Sequence, residues 1–292
     1  MLLLMAAVIF MCAHTLLGEY AWRFSNVPPP FLSLVTEMLK LIVSIFFFRK
    51  EIYNLNADPK MSRFATASFW YDARYFAVPG GLYFLGNNLA LFALKYLSSH
   101  LVGLLSNFKL LVSAVLAAIY LKQKFSMLQW VSLVLVVTGL MIAVEDPGKK
   151  ATAGDSGNSF DMHLYTFLYS LVTALISAVA GVCCEKLYKT KEVDPVLNNV
   201  HLQNIKLYGF GILFNLVAFI LTPQKYFEGF GVTHILYIIV GGLQGISMGF
   251  IMKYLDNVVR GITVAAGSIL NTAISITLLG NELTGAMCII FA

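Results

Sequence analysis

Residues 101–121 read LVGLLSNFKLLVSAVLAAIYL, an apolar run with a single lysine, Lys109, near its middle. Roughly 20 apolar residues suffice to cross a bilayer as a helix, so the run is long enough to span. A lysine at the centre of such a helix costs about 2.5–3.5 kcal/mol on insertion. It is therefore expected to face a protein interior or a watery cavity, where a buried ammonium suits an anion.

Working outward, further apolar runs fall at 1–22, 30–48, 75–94, 98–121, 126–144, 162–184, 202–222, 230–254, 258–280 and 283–292. Ten residues of helix reach only ~15 Å, half of a ~30 Å hydrocarbon core, so the tenth span is expected to be truncated. Leu2–Met11 has no basic flank and no small-residue cleavage site, so it reads as part of a first span and not as a signal peptide. The chain is 59% hydrophobic and 12% charged, against about 25% charged in a soluble domain. Fold class is thus all-α integral membrane, with ten transmembrane helices. The net charge of +5 fits lysine and arginine gathered in cytoplasmic loops and calls for no nucleic acid.

Orientation follows from those cations. Arg49, Lys50, Lys60, Arg63 and Arg74, then Lys122 and Lys124, then Lys186, Lys189 and Lys191, then Lys253 and Arg260 lie between even and odd runs. That set outnumbers the cations of the other loops and reads as cytoplasmic, which puts both ends of a ten-span protein in the cytoplasm. The chain also repeats. Lys95-Tyr96-Leu97 recurs as Lys253-Tyr254-Leu255, Gly103 recurs as Gly261 at the same offset, and Ser126 meets Thr284. A repeat of five spans inserts its second copy upside down, the architecture of many secondary transporters, with the substrate near the midplane. The expected organisation is a first five-helix repeat over 1–146, a lumenal linker over 147–161 and a second repeat over 162–292, truncated in helix 10.

Few polar residues lie inside the runs. Glu37 and Lys40 stand at i and i+3 and are expected to neutralise each other. Tyr83 and Asn87 share one face of the third run, and Asn204 and Tyr208 share one face of the seventh. An amide and a phenol together offer donors, acceptors and a stacking ring, chemistry that suits a nucleobase or ribose. By spacing alone, Lys253 reads as a snorkelling lysine at a helix end. Gly80, Gly81, Gly241 and Gly242 read as close-packing positions. The cysteines Cys12, Cys183, Cys184 and Cys288 lie in apolar stretches without metal or disulfide spacing. No phosphate-binding loop, metal-ligand cluster or activated nucleophile appears, so no enzyme activity, cofactor or metal is expected.

With these residues in place, the sequence resembles the nucleotide-sugar transporters of the Golgi and endoplasmic reticulum, in the drug/metabolite transporter superfamily. The resemblance is carried by Tyr83-x-x-x-Asn87-Asn88, Asn107-Phe108-Lys109, Leu128-Gln129-Trp130-Val131-Ser132, Glu185-Lys186, Gln203-Asn204-Ile205-x-x-Tyr208 and Met252-Lys253-Tyr254-x-Asp256-Asn257. It covers the group of CMP-sialic acid, UDP-galactose and UDP-N-acetylglucosamine carriers and leans to the probable UDP-sugar branch. The resemblance implies exchange of a cytosolic nucleotide sugar for a lumenal nucleoside monophosphate in a Golgi or endoplasmic reticulum membrane. It implies that Lys109 and Lys253 bind phosphate, that Tyr83 and Asn87 line the pocket, and that Asn204 and Tyr208 contact the base. Val102 and Phe210 replace polar residues of the CMP-sialic acid carriers, which favours UDP-sugar and UMP. Three alternatives stay open: a CMP-sialic acid/CMP exchanger, a proton-coupled exporter working through Glu37, and a transport-inactive scaffold for glycosyltransferases. Homo-oligomerisation and association with glycosyltransferases are likewise left open.

Overall fold

The computed structural model describes residues 2–23, 25–54, 72–93, 108–120, 122, 124–144, 159–190, 199–222 and 229–279. Among them the chain is helical throughout: α1 (Leu2–Arg23), α2 (Pro29–Asn54), a 3-10 turn (Arg74–Phe76), α3 (Ala77–Ala93), α4 (Phe108–Tyr120), α5 (Met127–Val144), α6 (Ser159–Lys189), α7 (Val200–Leu221), α8 (Val232–Tyr254) and α9 (Asn257–Leu279). Five of these helices (α1, α2, α6, α7 and α8) are long and apolar enough to cross a membrane. Each of the first nine apolar runs carries one α-helix. The tenth run lies outside the described residues, as do Lys95, Val102, Gly103, Thr284 and the linker residues 147–158. Helix α6 begins at Ser159, inside the stretch read as linker.

Local chemistry sets the helix ends. Proline at the first position of α2 lacks an N–H that would have had no partner there. Ser126 and Gln129 form a reciprocal capping box at α5: the Ser126 N–H donates to Gln129 Oε1 (2.7 Å) and the Gln129 N–H to Ser126 Oγ (3.3 Å). Asn199 caps α7 by accepting from the His201 N–H at 2.7 Å. Between α8 and α9 only Leu255 and Asp256 intervene, and Asp256 Oδ1 accepts from the Val259 N–H at 2.7 Å.

Helices of the first half pack chiefly on helices of the second. α1 packs on α8 and α9, α2 on α7 and α8, α3 on α6 and α7, and α4 on α6 and α9. Glycines let α8 come close to its partners. A Cβ at Gly241 would sit 2.7 Å from His14 Nε2, and one at Gly245 would sit 2.6 Å from Lys40 Cδ. A Cβ at Gly80 of α3 would sit 2.8 Å from Phe210 Cβ of α7. These glycines serve close packing.

Candidate functional site

The interleaved helices enclose a cavity of about 290 Å³, near the lower end of the range for small-molecule sites. The first six helices other than α5, together with α7, α8 and α9, all contribute to its lining. Its charged lining residues are Glu37, Lys40, Lys109 and Arg260. Glu37 and Lys40 are both buried, and the Lys40 ammonium donates to Glu37 Oε1, the pairing their spacing predicts. Lys40 also stands over the Tyr208 ring, 4.5 Å from its centroid.

That pair cancels, which leaves Lys109 and Arg260. Lys109 stands in the first described turn of α4 and has no ion-pair partner among the described residues. Arg260 is close enough to act on it electrostatically. The cavity lining therefore has two basic side chains in excess of its acids.

Arg260 corrects the sequence reading, which counted it as a cytoplasmic flank. α9 begins at Asn257, so Arg260 stands one turn inside the helix. Its side chain folds back to α3: Nη1 donates to Tyr83 Oη at 3.0 Å, and the guanidinium lies 5.1 Å from the Tyr83 ring centroid. Run boundaries cannot separate a flank from a first turn. The signal available in sequence was Asp256-Asn257, a capping pair that starts the helix before the arginine.

The six residues singled out for the substrate divide into two groups. Tyr83, Asn87, Lys109 and Tyr208 all line the cavity. Asn87 is exposed and Asn88 is not part of the lining; Asn88 Nδ2 instead ties α3 to α7 by donating to Asn215 Oδ1 at 3.0 Å. Asn204 and Lys253 do not line the cavity, yet both hold Tyr188, which does. Lys253 Nζ donates to the Tyr188 carbonyl at 2.6 Å. That carbonyl is in the last turn of α6, where backbone acceptors lack helical partners and a cation complements the helix dipole. The Tyr188 hydroxyl donates to Asn204 Oδ1.

Glu185 joins the same end of the bundle. It is 1% exposed, and its Oε2 accepts from the Asn257 N–H at 3.0 Å, capping α9 from a different helix, while Lys189 Nζ donates to Oε1 at 2.7 Å. Phe210 packs in a stacked arrangement on Phe214, 6.4 Å between centroids, and is not part of the lining. Val102 lies outside the described residues, so of the two departures that favoured uridine only Phe210 can be placed, beside the lining and not in it.

Comparison with known proteins places this arrangement. The profile of a family described as "Nucleotide-sugar transporter" matches residues 1–292. "CMP-sialic acid transporter 1" of Oryza sativa subsp. indica is 27% identical over 274 residues, covering 89% of this chain and 79% of that protein. "Probable UDP-sugar transporter protein SLC35A4" of Xenopus tropicalis is 27% identical over 281 residues, covering 96% of this chain and 81% of its own length. A protein crystal structure superimposes with a TM-score of 0.66 at 16% identity, covering 99% of this chain and 91% of the other, a likeness of fold alone.

Proposed function

We infer the transport cycle of this chain from one premise: it belongs to the nucleotide-sugar transporter family. We propose that it carries a UDP-sugar from the cytosol into the Golgi or endoplasmic reticulum lumen and returns UMP. The observation that carries this reading is Lys109, a cation that lines the cavity beside Arg260 without an ion-pair partner among the described residues. A nucleoside monophosphate carries close to two negative charges, as does the diphosphate of a UDP-sugar, and the cavity lining has two basic side chains in excess of its acids. Lys109 and Arg260 hold the phosphates in this scheme. Tyr83 and Tyr208 offer aromatic faces, and Asn87 offers an amide to the ribose or base.

The scaffold of the proposal is ten spans in two inverted repeats, 1–146 and 162–292, joined through 147–161. Helix packing supports it. Shift each label by five, and the α1–α8 pair becomes α6–α3, α1–α9 becomes α6–α4, and α2–α8 becomes α7–α3; α2–α7 and α4–α9 map onto themselves. Every partner in the set is recovered, the pattern a pseudo-two-fold axis in the membrane plane produces. Rocking of the halves about the central cavity then exposes the site to each side in turn.

Counterflow into liposomes tests the reading. Vesicles containing the purified protein are preloaded with UMP, CMP, GMP or AMP and offered a panel of labelled nucleotide sugars. UMP-loaded vesicles should accumulate a UDP-sugar; uptake that ignores the nucleotide inside would refute the exchange.

A further inference from the structure

The cavity has a second pole, away from Lys109 and Arg260, whose polar groups the transport scheme leaves unused; what that pole takes is an inference that rests on the nucleotide-exchange reading above. Helix α8 measures the distance between the two. At one level Met252 Sδ accepts from Tyr83 Oη at 3.8 Å, and Tyr83 in turn holds Arg260. Three turns earlier on α8, the His14 imidazole of α1 fills the space over Gly241, where a Cβ would sit 2.7 Å from Nε2. Three turns of helix span about 16 Å. With the phosphates held at the first pole, whatever touches His14 is another part of the ligand.

His14 stacks on Tyr237 of α8, 4.3 Å between ring centroids at an interplanar angle of 23°. Both rings line the cavity, and neither has a hydrogen-bond partner among the described residues. Polar groups enclosed by a finished core are rarely left unpaired, so an imidazole and a phenol left open in a cavity wall point to a ligand that completes them. Ser33 and Thr36 of α2 add two buried hydroxyls to the same lining. Thr36 donates to the Leu32 carbonyl at 2.8 Å and keeps its own lone pairs for a donor. Its Cγ2 lies 3.4 Å from the same point over Gly241 that His14 crowds. The charged residues nearest on α2 are Glu37 and Lys40, which pair with each other.

A pyranose is the part of a nucleotide sugar that matches such a wall. Its C–H face packs on aromatic rings, and its hydroxyls both donate and accept. UMP has no such part, and the nucleoside already has Tyr83, Tyr208 and Asn87. We propose that the His14–Tyr237 pole seats the sugar and takes an uncharged hexose in preference to a sugar acid. The two basic side chains in excess are matched by the diphosphate. A carboxylate at the far pole would add a third negative charge, with Glu37 one turn from Ser33 and Lys40 already paired. Enclosing a charge without a partner is strongly disfavoured. His14 and Tyr237 thus set the choice of sugar and leave the nucleotide to the other pole.

Dissociation constants of the purified full chain for UMP, UDP-glucose, UDP-galactose, UDP-N-acetylglucosamine and UDP-glucuronic acid test this. In wild type the tightest of the uncharged UDP-sugars should bind roughly tenfold or more tighter than UDP-glucuronic acid. His14→Ala should weaken that sugar roughly tenfold, the loss of one hydrogen bond, and leave UMP as it was. Tyr237→Phe keeps the ring, removes only the hydroxyl and should act in the same direction. Glu37→Gln frees Lys40 for a carboxylate and should draw UDP-glucuronic acid level with the uncharged sugars. A wild type that binds UDP-glucuronic acid as tightly as the others overturns the proposal. So does a His14→Ala protein that loses UMP and UDP-sugar affinity alike, as a merely structural role would have it, or loses neither. Nucleotide exchange itself stands in each of these cases. Should His14→Ala fail to fold, Tyr237→Phe decides by the same ratio of UDP-sugar to UMP. A wild type that binds neither UMP nor any UDP-sugar defeats the exchange reading, and this inference with it.

Discussion

Replacing Lys109 by alanine should weaken UMP binding about a hundredfold, whereas replacing Lys253 should leave it nearly unchanged. The Lys109 ammonium lines the cavity, and the Lys253 ammonium donates to the Tyr188 carbonyl outside it. Truncating one partner of a buried, hydrogen-bonded charge pair costs about 2–5 kcal/mol. With Arg260 still present to hold the phosphate, a value near the lower end, about 3 kcal/mol, is reasonable. At 1.4 kcal/mol per decade that is about a hundredfold. Thermal stabilisation reads the difference. At a UMP concentration of 100 Kd the wild type gains about 2.7 kcal/mol. The Lys109→Ala protein at the same concentration stands near its own Kd and gains only about 0.4 kcal/mol. Without ligand it should be no less stable than wild type, because the mutation removes an apolar-span lysine costing about 2.5–3.5 kcal/mol. Lys253→Ala should lose about 1 kcal/mol from the uncapped end of α6 and keep its full response to UMP. A full UMP response in Lys109→Ala, or a response lost in Lys253→Ala and retained in Lys109→Ala, would refute the placement of the phosphates.

Glu37→Gln leaves the buried Lys40 without its carboxylate and should destabilise the detergent-purified protein by about 3 kcal/mol. Glu37→Gln combined with Lys40→Met should recover much of that loss in the same thermal scan. Gly80→Ala sets a methyl 2.8 Å from Phe210 Cβ and should cost about 1–3 kcal/mol by forcing α3 from α7; no loss on thermal unfolding would show that this crossing has slack. Empty liposomes should take up labelled UDP-sugar about a thousandfold more slowly than UMP-loaded ones. Closing a gate over two unneutralised cations would cost several kcal/mol, and about 4 kcal/mol gives that factor; equal uptake would identify a uniporter.

The apolar runs foretold the helices because bilayer thickness imposes a minimum length on any span, and length is visible in one dimension. The Glu37–Lys40 pair was legible for a related reason. Three residues apart on a helix, the two side chains meet whatever the rest of the protein does. Lys253 and Arg260 were not legible, although both are cations at the same inter-helix turn. Their fates depend on which neighbour brings an unpaired group within reach. The C-terminal carbonyl of Tyr188 on α6 takes Lys253, and the Tyr83 phenol on α3 takes Arg260. No periodicity in α8 or α9 records where α6 ends or which face α3 presents. Asn204 shows the same limit from the other side. Its spacing from Tyr208 places both on one face of α7, but whether the amide offers oxygen or nitrogen is decided by Tyr188, sixteen positions earlier and on another helix.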